Sequence, residues 1–251
     1  MRPRRGWKPI VRVIASIAML AVLATRVDID RLVPRWDPAA ALWLFAAILA
    51  TLAGIVLSAL RWQRVLVALG VEAGIRGLMA HYLASLFVGN FLPSTIGGDV
   101  LRVTRLSSST GETPRPFASV VLERLTGWIV LPVLTLGALA VNPGLRELGA
   151  ASQIAALVAV VTLVALVAIL AAAGSPRLGG RLKSNEGWRR FTGAVHLGLD
   201  RFRHHPGLAL EVLTVGFAYQ LAVMLAAFLA SEAMGLDVGW TAVLAFFPAV
   251  A

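Results

Sequence analysis

Asn90-Phe91-Leu92-Pro93-Ser94-Thr95-Ile96-Gly97-Gly98-Asp99-Val100-Leu101-Arg102 sets a helix breaker, two adjacent glycines, a carboxylate and an arginine into an otherwise apolar region. Further along, Glu123-Arg124 stands inside a run that reads as a membrane-spanning helix. Lipid satisfies neither a broken backbone nor an ionised side chain, so such residues must face protein, a wet cavity or a polar substrate.

The surroundings of these residues make lipid the relevant solvent. The 251-residue chain is 58% hydrophobic and 14% charged, with a mean hydropathy of +0.80. These values fit an integral membrane protein and exclude an ordinary soluble domain. The formal charge of +10 does not point to nucleic acid, because the basic residues lie in short connections between apolar runs and lack aromatic interleaving. The positive-inside rule accounts for them, and no nucleic-acid partner is expected. With no cysteine, a disulfide framework, a thiolate metal site and a cysteine nucleophile are all excluded.

Spans are expected at about 10–25, 38–60, 117–141, 153–173 and 207–231, with a partial span at 238–251. Arg2, Arg4, Arg5 and Lys8 precede the first run, which is read as an uncleaved helix because no clear small-x-small cleavage site follows it. Residues 238–251 are apolar but too short to cross, so the chain is expected to end within a helix. The run 77–98 is uncharged but broken near Asn90 and Pro93. If it leaves on the side where it enters, the N-terminus, the Arg61–Arg76 and Arg102–Arg115 connections and the Arg177–Arg203 region all collect on the cytoplasmic side. If it crosses, the large basic loop faces out, against the positive-inside rule. The expected fold is therefore all-α and polytopic: one integral membrane domain over 1–251, a transmembrane helix bundle with a re-entrant helical hairpin and a cytoplasmic N-terminus.

Two further segments have simpler readings. Residues 187–204 carry Trp188, Phe191, Val195, Leu199 and Phe202 at helical spacing with arginines between them. This fits an amphipathic helix, either at the membrane interface or packed against the bundle as a connector. Ser107-Ser108-Ser109-Thr110-Gly111 reads as a flexible loop, and Pro114 and Pro116 as a helix start.

Chemistry is expected at Asn90, Pro93, Gly97, Gly98, Asp99, Arg102, Glu123 and Arg124. Asn90 and Pro93 free backbone groups, and the glycines allow a turn or a close approach. Asp99 can cap a following helix that carries Arg102 and Arg105 near one face, or merely pair with Arg102 at a solvated helix start. Arg124 lies ~12 Å into a helix that begins near Pro116, so it needs a carboxylate: Glu123, Asp99 or Glu211. The pair Glu123-Arg124 serves either a substrate or a structural tie between hairpin and bundle. His81 is read as a packed polar residue.

The order Asn90, Pro93, Gly97-Gly98-Asp99, Arg102, Glu123-Arg124 and Gly127 resembles the membrane domain of the lysylphosphatidylglycerol synthase and flippase family. Only residues 90–127 carry that motif, while the hydropathy likeness covers the chain. The resemblance implies lipid flippase-like activity and, in synthase members, a following cytosolic aminoacyl-transfer domain, of which none is visible here. It also implies a second glycine-rich re-entrant motif after a proline-containing helix. Phe246-Phe247-Pro248-Ala249 looks like the approach to that motif, and the sequence stops before it.

The leading expectation is a bacterial-type inner-membrane protein that binds and translocates a phosphate-bearing amphipathic lipid, a phospholipid or lipid-linked phosphate. Arg102 and Arg124 would receive the phosphate, and Asp99 and Glu123 would orient them. The alternatives are a membrane transferase acting on a lipid-linked phosphate, with Asp99 or Glu123 as base, and a non-catalytic partner that docks an envelope enzyme through its basic loop. No metal-ligand cluster, Walker motif or nucleophile-base pair is evident, so neither cofactor, metal nor catalytic residue is expected. No sequence feature sets an oligomeric state.

Overall fold

The structure, a computed structural model, describes residues 17–19, 21–22, 38–91, 95–174 and 186–250. The expected first span at 10–25 lies largely outside them, as does Pro93. Among the described residues the regular elements are helices: α1 Pro38–Ala68, α2 Ile75–Phe91, α3 Thr95–Thr110, α4 Pro114–Val141, α5 Ala150–Gly174, α6 Glu186–His204, α7 Pro206–Ala233 and α8 Trp240–Val250. A short 3-10 helix, Pro143–Leu148, joins α4 to α5.

Four of these, α1, α4, α5 and α7, are long and apolar enough to cross a membrane. Their outward residues, among them Leu42, Phe45, Ile48 and Leu52 on α1 and Ile154, Leu157, Val161 and Val164 on α5, are exposed. An apolar surface this broad is stable in lipid and a liability in water. The protein is an integral membrane protein with an all-helical bundle.

Small residues set the closest packing. Gly54 of α1 faces Ala222 and Val223 of α7, Ala47 and Ala50 cluster with Leu229, and Gly216 faces the stem of Arg61. Contacts that advance along α1 therefore retreat along α7, so the two helices run antiparallel. Without a hydrophobic drive between helices in lipid, close van der Waals contact at Ala and Gly holds such a pair together.

The helix ends follow from local chemistry. At the end of α1, Gly70 adopts φ 74°, Val71 N–H donates to Leu66 C=O at 2.9 Å and Gly70 N–H to Val67 C=O at 3.0 Å. This pair of bonds satisfies terminal carbonyls in a left-handed glycine cap. It recurs at the end of α7, where Leu236 donates to Ser231 and Gly235 to Glu232. Pro114 and Pro116 stand at the start of α4, where a missing N–H costs nothing.

The structure extends one sequence expectation, overturns a second and decides between the alternatives of a third. The run 38–60 continues as helix to Ala68, carrying Arg61 and Trp62 inside α1. Residues Ser107 to Thr110 are not a loop but the last turn of α3. Their hydroxyls turn back onto the helix, Ser108 to Thr104 C=O at 2.9 Å and Ser109 to Leu106 C=O at 2.8 Å, which keeps a polar sequence helical. Of the two readings of residues 187–204, the packed connector is the one seen in α6: Ala194 and Val195 are buried in a cluster with Val65, Leu122, Leu166 and Val212, and Gly198 lies directly against Leu122. The buried face is rotated from the expected stripe, leaving Leu199 exposed.

Helices α2 and α3 pair antiparallel. Leu78, early in α2, and Leu106, late in α3, share a cluster with Trp62, Leu66 and Val71, while Gly98 meets Ser85 nearer the other ends. Both outer ends of this pair thus lie beside the C-terminus of α1. At the opposite end of the bundle, Asn142 donates from Nδ2 to Thr241 Oγ1 at 2.8 Å, and Ala138, Leu139 and Leu145 pack on Ala245 of α8.

Candidate functional site

Five charged side chains from three helices meet in the bundle. Glu123 lies ~14 Å along α4 from its first residue and is buried. Arg61 of α1 donates from Nη2 to its Oε1 at 2.8 Å, and Arg102 of α3 from Nη1 to its Oε2 at 2.6 Å. Arg102 also donates from Nη2 to Asp99 Oδ1 at 2.7 Å. The other oxygen of Asp99 accepts from Arg124, at 2.9 Å from Nε and 2.8 Å from Nη2. Positive and negative charges alternate along this chain, so each carboxylate in a low-dielectric setting has a cation at both oxygens.

Aromatic rings hold the buried arginines. The Arg61 guanidinium carbon lies 4.6 Å from the centroid of Tyr219, and that of Arg102 lies 5.1 Å from Trp62 and 5.4 Å from Tyr82. These distances are within cation–π range. Trp62 is fixed in turn by donation from Nε1 to Ser119 Oγ at 2.9 Å, tying α1 to α4.

Two cavities flank the network. The larger, about 340 Å³, lies among α1, α4, α5, α7 and α8, with Arg61, Glu123, Arg124, Thr135, Tyr219 and Gln220 in its polar lining and Trp128, Leu131 and Val158 in its apolar lining. Pro132 cannot donate to the carbonyl of Trp128, which leaves an acceptor free of its helical bond beside this cavity. The smaller, about 230 Å³, is lined by Tyr82, Ser85, Gly89, Asn90, Gly98, Asp99, Arg102 and Arg124. Arg124 lines both.

A family model for the lysylphosphatidylglycerol synthase TM region matches residues 10–251. The chain belongs to that family. No curated protein and no solved structure matches it. It is therefore a membrane domain of a lipid-related family, and five of its charged residues meet where α1, α3 and α4 converge.

Asp99, Arg102, Glu123 and Arg124 come together in one network, and Asn90, Gly98, Asp99, Arg102 and Arg124 share the smaller cavity. The roles differ from those expected. Asp99 is the fifth residue of α3 rather than its cap, and Gly97 and Gly98 are helical rather than a turn. A Cβ on Gly98 would stand 2.7 Å from Ser85 Oγ and 2.8 Å from Ser85 C=O, so this glycine serves the close approach of α2 and α3. Arg105 is exposed whereas Arg102 is buried, so of the two only Arg102 enters the network. Glu211 pairs with Arg64 at 3.2 Å, not with Arg124. Arg124 has 55% of its side chain exposed and pairs with Asp99.

Sequence reasoning missed Arg61, which it assigned to a cytoplasmic connection. A signal existed: Ala40, Ala47, Gly54 and Arg61 recur every seven residues, and all are buried on α1. Such a small-residue seam marks the face that meets another helix. Tyr82, Tyr219 and Trp62 were also missed, because nothing local distinguishes a ring under a guanidinium from an ordinary core aromatic. His81 is half-buried, as a packed polar residue would be.

Proposed function

We propose that this domain binds the phosphate of an amphipathic lipid, a phospholipid or a lipid-linked phosphate, in the larger cavity and moves it across the bilayer. The observation that carries the reading is a positively biased ion network, three guanidiniums against two carboxylates, beside a cavity with both polar and apolar lining. An arginine fork matches phosphate geometry, and an apolar cavity wall suits the part of the lipid next to its headgroup. Arg124, the exposed member that lines both cavities, is the group that first meets the headgroup. Arg102 and Glu123 hold the network in register, while Asp99 keeps Arg124 aligned.

In this reading α2 and α3 form a re-entrant hairpin whose outer ends share the cytoplasmic side, with the N-terminus on that side and the protein in a bacterial-type inner membrane. Support comes from the antiparallel pairing of α2 and α3 and from the basic residues of the connections on either side of them. Asn90, Gly97 and Gly98 belong to the hairpin arms.

The test is lipid retention by the purified full chain, read by native mass spectrometry, together with movement of a fluorescent phospholipid in reconstituted vesicles. The reading expects a specifically retained anionic phospholipid, and loss of both retention and movement in a folded Arg124→Gln variant. Retention and movement unchanged in that variant would remove the site from consideration.

A further inference from the structure

The charges of the network can be counted, and the count constrains the ligand. Arg61, Arg102 and Arg124 face Asp99 and Glu123, so one positive charge is left without a partner in this cluster. Glu123 has both oxygens occupied by arginines and is not free to accept from a ligand. Arg61 is the reverse case. Its side chain is 7% exposed, it lines the larger cavity, and its Nε and Nη1 are buried with no hydrogen-bond partner. Buried guanidinium donors left unpaired are costly, and an acceptor in the cavity would relieve that cost.

The remaining polar lining near Arg61 is neutral. Tyr219 and Gln220 offer a hydroxyl and a carboxamide, and Thr135 a hydroxyl. These groups can hydrogen-bond phosphate oxygens without adding charge. A singly charged anion therefore brings the cluster to neutrality, whereas a doubly charged one leaves a buried negative charge with no cation to meet it.

From this balance we infer that the larger cavity selects a singly charged phosphodiester headgroup over a doubly charged phosphomonoester, with Arg61 and Arg124 as the charged ligands and Tyr219 and Gln220 as neutral donors. The inference rests on the reading that the cavity binds lipid phosphate, and it assigns to that site a charge class and a ligand, Arg61. Asp99 is the residue that sets the class. It occupies Arg124 with one oxygen and Arg102 with the other, so removing its charge releases a second positive charge for the ligand.

The experiment is competition among phosphatidylglycerol, phosphatidic acid and phosphatidylcholine of matched acyl chains for the full chain in detergent, at pH 8.5, with bound lipid counted by native mass spectrometry. At this pH the phosphomonoester carries its second charge. The expected result is phosphatidylglycerol ahead of both competitors by about tenfold, equivalent to about 1.4 kcal/mol. Asp99→Asn should bring phosphatidic acid level with phosphatidylglycerol or ahead of it, and Arg61→Lys should weaken retention of phosphatidylglycerol without changing the order. Dimethyl phosphate at matched concentration separates the sources of the same chemistry: displacement by lipid alone supports a lipid-headgroup site, and equal displacement by the soluble ester contradicts it. Phosphatidic acid level with or ahead of phosphatidylglycerol on the wild type, or an unchanged order in folded Asp99→Asn, overturns the single-charge selection while leaving lipid-phosphate binding in place. Phosphatidylcholine, whose phosphodiester charge is cancelled by its own choline, level with phosphatidylglycerol overturns the single-charge selection, and retention of none of the three lipids overturns both. The wild-type ranking decides even where a variant fails to fold.

Discussion

Arg61 donates to Glu123 at 2.8 Å across 62 positions of sequence, and both side chains are buried. With Arg102 on the other oxygen, Glu123 is the junction that ties α1, α3 and α4 together. Its neighbours are cations that cannot be neutralised, so its removal has a large effect.

Glu123→Ala should therefore be the most destabilising single change in the network, by about 3–5 kcal/mol, because it strands two buried guanidiniums. Glu211→Ala removes a pair whose side chains are about half exposed and should cost less than about 1 kcal/mol. Thermal unfolding of both variants in detergent checks the contrast. A Glu123→Ala variant as stable as Glu211→Ala would contradict the burial of the junction.

Arg124→Ala and Arg102→Ala should separate stability from function. Arg124 is 55% exposed, and Asp99 keeps Arg102 when Arg124 is lost. The protein should accordingly lose less than about 1 kcal/mol while lipid retention falls. Arg102→Ala leaves Asp99 and Glu123 each short of a cation and should cost several-fold more. Melting curves set beside lipid counts read the two quantities separately. Equal loss of stability in both variants would show Arg124 to be a structural tie.

Gly98 and Gly89 line the same small cavity but should respond differently to alanine. A Cβ at Gly98 meets the backbone of Ser85 at 2.8 Å, whereas one at Gly89 meets nothing within 4 Å. Gly98→Ala should cost about 1–3 kcal/mol by forcing α2 and α3 apart. Gly89→Ala should be neutral, or stabilising through helix propensity. Circular dichroism melts of the two variants give the comparison, and a neutral Gly98→Ala would deny the close approach.

Cysteine-free sequence makes topology easy to read with an impermeant thiol reagent. Single cysteines at Ser108 and Arg203, both exposed, should label from the cytoplasmic side, and one at Glu147 from the outside. Labelling of Ser108→Cys and Arg203→Cys from opposite sides would contradict the shared side of the hairpin ends and α6.

The legible part of this protein was what lipid dictates locally. Apolar length located α1, α4, α5 and α7, and the cost of intramembrane charge singled out Asp99, Arg102, Glu123 and Arg124. Partner choice was not legible, because Glu123, Asp99 and Glu211 are equally available to Arg124 for a reader who lacks the crossing of α3 and α4, and Arg61 read as part of a connection. The serines of α3 misled for a similar reason: their loop propensity is overridden by hydroxyl bonds to the helix backbone. Gly98 was noticed for the right physical property, its missing Cβ, and in the structure that property admits the close approach of Ser85.

Crosslinking in vesicles with a phosphatidylglycerol that carries a photoreactive group in its headgroup, followed by peptide mapping, tests most directly whether a lipid headgroup enters the bundle. Adducts are predicted on Trp128, Leu131, Tyr219 or Gln220, which line the larger cavity, and should be lost in Arg124→Gln. Adducts confined to outward residues such as Val164 and Val167, unchanged in that variant, would contradict the account.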